Sequence, residues 1–124
     1  MSTGENTPTT VVYGIKNCDT VKKALTYLDK NKITYEFHDY KKQGIQASKI
    51  KEWNKSIPLD KLVNAKGTTY KALNDEEKLL LSKIKTAGPI IQANTSVLKR
   101  PLIEHSGEIL LGFNESEYDL LFKK

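Results

Sequence analysis

A strand, a helix and a second strand joined by very short links open this chain, and that order restricts the fold more than anything else in it. Thr9-Thr10-Val11-Val12-Tyr13 is β-branched and aromatic, as a strand prefers, and Gly14 ends it. After the loop Gly14-Ile15-Lys16-Asn17, the residues Val21, Ala24, Leu25 and Leu28 recur at helical spacing, which predicts a helix to about Lys30 with Asn31 as its terminator. Ile33 to Asp39 alternates loosely, with Ile33, Tyr35 and Phe37 on one face, and reads as the second strand. A strand-helix-strand run this tight makes the two strands parallel neighbours.

The middle of the chain reads as helical. Ile50, Trp53 and Ile57 share a face, Pro58 stops that helix, and Leu59, Leu62 and Val63 add a turn before Gly67. Asn74-x-x-Glu77 is a capping-box pattern ahead of Leu79, Leu80, Leu81 and Ile84, and Gly88-Pro89 is read as the end of that helix. Two strands follow, Pro101 to His105 and Ile109 to Leu111, with Ser106-Gly107 as the hairpin turn. Asn114-x-x-Glu117 then opens a last helix carrying Tyr118, Leu121 and Phe122. Residues 1–8 are polar, without an apolar anchor, and read as a disordered tail; residues 9–124 read as a single domain.

Composition narrows the function classes. No apolar run approaches the ~20 residues of a membrane span, and the polar start shows no signal peptide, so a cytoplasmic protein without a membrane partner is the default. The net charge of +5 comes from scattered lysines, because Arg100 is the only arginine. Base-edge and phosphate readers favour arginine forks, so the charge reads as a solvated surface and not a nucleic-acid site. His38 and His105 are isolated, read as exposed strand-end residues, and have no metal-ligand spacing. No metal or permanently bound cofactor is expected, and the chain reads as a monomer.

Cys18 is the only cysteine, so no disulfide can form within the chain. It falls at the loop-to-helix junction, read as the first turn, where backbone N–H groups lack intrahelical partners and the helix dipole favours a thiolate. That loop can also cradle an oxyanion. Lys16 adds a nearby positive charge, Asn17 a side-chain donor, and Asp19 acts in the opposite direction. The carboxyl end of a parallel strand is where ligands of such sheets bind, which marks Cys18 as a candidate reactive thiol.

The segment from Val12 through Gly14-Ile15-Lys16-Asn17-Cys18-Asp19-Thr20-Val21 to Ala24 resembles the arsenate reductase (ArsC) and Spx/MgsR family. So do, in order and spacing, Phe37 to Gly44, Leu62 to Tyr70 and Lys99-Arg100-Pro101-Leu102-Ile103. The likeness covers about residues 11–122 and is greatest to small ArsC-related proteins of uncertain function. It implies a thioredoxin-like (glutaredoxin-like) α/β fold, a mixed sheet of three to four strands with an enlarged helical insertion. It also implies roles: Cys18 as the nucleophile, Arg100 as an anion-binding residue and Pro101 as a cis proline beside the thiol. Arg100 is placed to offer a planar fork to a carboxylate or tetrahedral anion.

Three departures redirect the expected chemistry. Arsenate reductases have a histidine where this chain has Gly14. They have further anion-binding arginines, for which Lys66 is the nearest substitute before the central helix. Spx proteins have a second cysteine where this chain has Val21. One Arg and one Lys hold a trianion less well than a set of arginines, which argues against arsenate as substrate. The resulting expectation is a monothiol reductase with glutathione as co-substrate, acting on a small thiol or oxyanion substrate or a protein disulfide. The alternative is an Spx-like redox-responsive transcriptional regulator that binds RNA polymerase.

Overall fold

The computed structural model describes residues 9–123, so the polar segment read as a tail lies outside them. Four strands form one mixed sheet in the order β2-β1-β3-β4. They are β1 (Thr10–Gly14), β2 (Glu36–Asp39), β3 (Leu102–His105) and β4 (Glu108–Leu111). β1 runs parallel to β2, with Val12 opposite Phe37, and antiparallel to β3, with Val12 opposite Ile103 and Tyr13 opposite Leu102. β3 and β4 form an antiparallel hairpin. This is the thioredoxin-like arrangement, with a long helical segment inserted between β2 and β3. No described helix is long and apolar enough to cross a membrane.

The chain divides into two compact units. The sheet unit runs to Asp39 and resumes at Arg100. Helix α1 (Asp19–Lys30) and the C-terminal helix α8 (Glu115–Phe122) belong to it. Its core is Val12, Ala24, Tyr27, Leu28, Ile103 and Tyr118, so both helices pack on the sheet face carrying Val12 and Ile103. Tyr27 Oη donates to Asp119 Oδ1 at 2.5 Å, and its ring meets that of Tyr118 edge-on at 5.3 Å. The Ser106-Gly107 turn has positive φ at both residues, +49° and +85°, as a type I′ hairpin requires.

The second strand starts later than its sequence pattern predicts. Lys32 takes φ +57°, Lys32 N donates to Asp29 O, and Ile33 N donates to Leu28 O. These are the two bonds of a Schellman cap, with lysine in the place glycine usually takes. Ile33 packs on the core as part of that cap, leaving only Glu36–Asp39 for the sheet.

The helical unit is Tyr40–Lys99. It contains α2 (Tyr40–Gln43), α3 (Ala47–Asn54), α4 (Leu59–Leu62), α5 (Thr68–Lys71), α6 (Asp75–Leu81) and α7 (Ile84–Ala93), followed by a 3₁₀ turn at Thr95–Val97. Trp53, Tyr40, Ile50, Leu62, Ile91 and Leu98 are its largest fully buried side chains. The expected stop at Gly88-Pro89 is corrected: α7 runs through both residues, and the break falls earlier, at Ser82-Lys83. Thr86 Oγ1 donates to the Leu80 carbonyl across that break. Gly88 is buried, and a Cβ there would lie 3.2 Å from Ala47 Cβ, so this glycine lets α7 approach α3 closely.

Candidate thiol site

β1 ends at Gly14, the loop 15–17 leaves the sheet, and Cys18 caps α1. Cys18 is the N-cap residue itself and not part of the first turn: its backbone is extended, with φ −139° and ψ 123°. Its carbonyl accepts the first helical bond, from Lys22 N at 3.0 Å. Its side chain makes no capping hydrogen bond, and the residue is a half-buried free cysteine. An N-cap side chain lies beside the unpaired N–H groups that open a helix.

Lys16 and Asn17 are exposed in the loop before the thiol, and Asp19 follows it in the first turn. The Arg100–Pro101 peptide bond is cis. Pro101 is buried and stands one residue before Leu102, which pairs with Tyr13, so Arg100-Pro101 and Gly14 lie at the same end of the sheet. Gly112 N donates to the Pro101 carbonyl at 2.7 Å and fixes this stretch to the strand-end loop. Arg100 is half-buried, with Nε fully covered. Cys18, Lys16, Asn17, Arg100 and Pro101 thus all belong to the sheet unit. Lys66 belongs to the helical unit, in a turn held by Asn64, whose Oδ1 accepts from Lys66 N at 3.2 Å and whose carbonyl accepts from Gly67 N at 3.1 Å.

Two features of this sheet end are absent from the sequence reading. A Cβ built on Gly14 would lie 2.9 Å from Val21 Cγ2, and Val21 is completely buried. Tyr13, also buried, donates through Oη to Glu104 Oε1 at 3.1 Å and sits 5.0 Å from the His38 ring. The reading of the histidines as exposed is corrected as well. Both are half-buried, and His105 Nδ1 lies 2.7 Å from the buried Thr10 hydroxyl. The signal for His38 was its place in the strand alternation, on the same sheet face as Tyr13. Among the described residues no group of three or more His, Cys, Asp or Glu side chains is arranged to hold a metal ion.

Known proteins are similar to this chain over nearly its whole length. An uncharacterized protein of Haemophilus influenzae is 41% identical over 111 residues, covering 90% of this chain and 96% of its own. The solved structure of a protein named YffB superposes with a TM-score of 0.84 at 39% identity, covering 90% of this chain and 96% of that one. A global transcriptional regulator Spx of Listeria innocua is 26% identical over 109 residues, covering 86% of this chain and 81% of its own. The ArsC family model matches residues 13–121, from the residue before Gly14 to the last turn of α8, and the chain belongs to the ArsC family.

Proposed function

We propose that this protein is a monothiol oxidoreductase that uses Cys18 as nucleophile and glutathione as reductant. The observation that carries the reading is the half-buried free cysteine at the N-cap of a 12-residue helix, at the carboxyl end of a parallel strand. Family membership supports a thiol-based redox role, and the absence of a second cysteine directs resolution to an external thiol. In the first step the Cys18 thiolate attacks one sulfur of a mixed disulfide; the new S–S bond forms as the old one breaks and the substrate leaves as thiolate. In the second step a glutathione thiolate attacks the sulfur of the group now held on Cys18, releasing that group as its disulfide with glutathione (glutathione disulfide where the group is glutathione) and restoring the Cys18 thiolate. Arg100 receives the anionic end of glutathione, with Lys16 and Asn17 as further donors.

The test is turnover of hydroxyethyl disulfide by glutathione, with mass spectrometry of the trapped protein. The wild type is expected to turn over and to carry one glutathione on Cys18, Cys18→Ser to fall to the uncatalysed rate, and Arg100→Lys to lose about tenfold in rate while folding normally. Absence of both turnover and adduct in the wild type would overturn the reading. The second reading, a regulator that docks on RNA polymerase, is favoured by the likeness to proteins named Spx. Retention of polymerase subunits on the immobilised protein, undiminished in Cys18→Ser, would favour it instead.

A further inference from the structure

A groove of ≈330 Å³ lies along α1 in the sheet unit, lined by Lys22, Lys23, Thr26, Tyr27, Lys30, Phe113 and Glu115. Its rim is basic, with three lysines against one glutamate. Lys22, Lys23 and Lys30 are exposed, and none of the three forms an ion pair among the described residues. Its floor is aromatic: Phe113 is half-buried, with its ring centroid 6.2 Å from that of Tyr27, whose hydroxyl is already engaged by Asp119. The groove runs along the helix that Cys18 caps. Lys22, Thr26 and Lys30 are spaced by four along α1, one ridge on the helix, and Lys22 at its start donates through its N–H to the carbonyl of the N-cap, Cys18. From Lys22 to Lys30 the ridge rises about 12 Å, the reach of three or four extended residues.

We propose that this groove docks an acidic segment of a partner protein, with an aromatic or aliphatic anchor over Phe113, and thereby presents that partner's disulfide to Cys18. The inference rests on the thiol chemistry proposed above and adds its substrate class: acidic protein disulfides. Uncompensated lysines around an apolar floor complement a segment that alternates carboxylates with an apolar side chain. Such a field raises the encounter rate of an anionic partner more than it holds the product, which suits a substrate that must leave.

The experiment uses two activated peptide disulfides, Glu-Glu-Phe-Cys-Glu-Glu and Gln-Gln-Phe-Cys-Gln-Gln, each carrying a 2-thiopyridyl group on the cysteine. Attack by Cys18 on the peptide sulfur forms the protein–peptide disulfide and releases 2-thiopyridone, which is read by absorbance. For the full chain at ~0.01 M salt, where the Debye length is ~30 Å, the acidic peptide is expected to react about tenfold faster than the glutamine peptide. The ratio should fall towards one at ~1 M salt, and in the variant Lys22→Gln/Lys23→Gln/Lys30→Gln. A ratio near one in the wild type, or one unchanged in the variant, overturns the proposal. Neutral 2,2′-dipyridyl disulfide separates the two readings, since silence of Cys18 towards it counts against the thiol chemistry alone. Docking is then read by fluorescence anisotropy of the acidic peptide with serine for cysteine, expected to bind the variant at least about tenfold more weakly. Displacement of that peptide by a single-stranded oligonucleotide of equal charge as readily as by unlabelled peptide would make the groove a general polyanion surface and overturn the partner class.

Discussion

Gly14 and Val21 form a matched pair. Gly14 is buried at the end of β1, and any side chain there must enter space already filled by the stiff, β-branched Val21 at 2.9 Å. The constraint is steric rather than conformational, because Gly14 is not among the residues with positive φ. Gly14→Ala is therefore expected to destabilise the protein by about 1–3 kcal/mol, the usual cost of overpacking a core. Val21→Ala clears the space, so the same change should cost less in that background, with a coupling of at least about 0.5 kcal/mol in a double-mutant cycle followed by urea unfolding. Strict additivity would show that the two side chains are independent. Gly14 was legible in the sequence as the end of a strand and as a departure from arsenate reductases, but its contact was not. That contact depends on the rotational phase of α1 against β1, which no linear pattern encodes. Cys18 was legible because its role depends on its position between two elements that the pattern does encode.

Among elements, those with a chemical boundary marker were the readable ones. α6 begins where its capping box places it: Glu77 N donates to Asn74 Oδ1 at 2.8 Å, and Asn74 N donates to Glu77 Oε1 at 2.9 Å. Asn74→Ala removes the acceptor and should cost about 1 kcal/mol of stability, while Asn74→Ser, which keeps one, should cost far less; thermal unfolding of both variants decides between a cap and an incidental contact. At α8 the same pattern gives the Asn114 half of the box, with Glu117 N donating to Asn114 Oδ1 at 3.0 Å. The unread elements have physical reasons for being so. α2 and α5 span four residues each, too short for a 3.6-residue period to declare itself. α7 passes through Gly88-Pro89 because burial of Ala87, Gly88 and Ile91 outweighs the hydrogen bond that Pro89 cannot donate. The 33–35 segment alternates like a strand, but its first amide is already committed to the cap of α1.

At the scale of the whole chain, two of the three strand pairings, β1 with β2 and β3 with β4, were legible because short links leave a βαβ run and a two-residue hairpin almost no alternatives. What no periodicity could supply is how the sheet unit closes, since the helical segment separates its two halves in sequence. One closure is Tyr27, whose hydroxyl reaches across 92 residues to Asp119 while its ring sits among Phe113, Tyr118 and Phe122. Burial, followed by the hydrogen bond to Asp119 and the negative charges of Asp119 and Glu115, pushes the Tyr27 hydroxyl from 10.0 up to about 12. Tyr118 is pushed up too, first by burial and then by Glu117. The sign follows from proton binding: between about pH 10 and about 12 the unfolded chain releases the Tyr27 proton while the folded chain keeps it. Stability contributed by Tyr27 is thus complete below pH 10 and is lost as pH rises through about 12. Tyr27→Phe removes the titrating group and keeps most of the ring packing, so its unfolding free energy should fall less steeply with pH over that interval than that of the wild type. The lysines titrate in both proteins and cancel in the comparison. Urea unfolding at a series of pH values from 8 upward, read as the difference between the two, checks it: the variant is expected to start less stable and to converge on the wild type as pH rises, whereas parallel curves would remove Tyr27 as the alkaline-sensitive fastening between the two halves of the sheet unit.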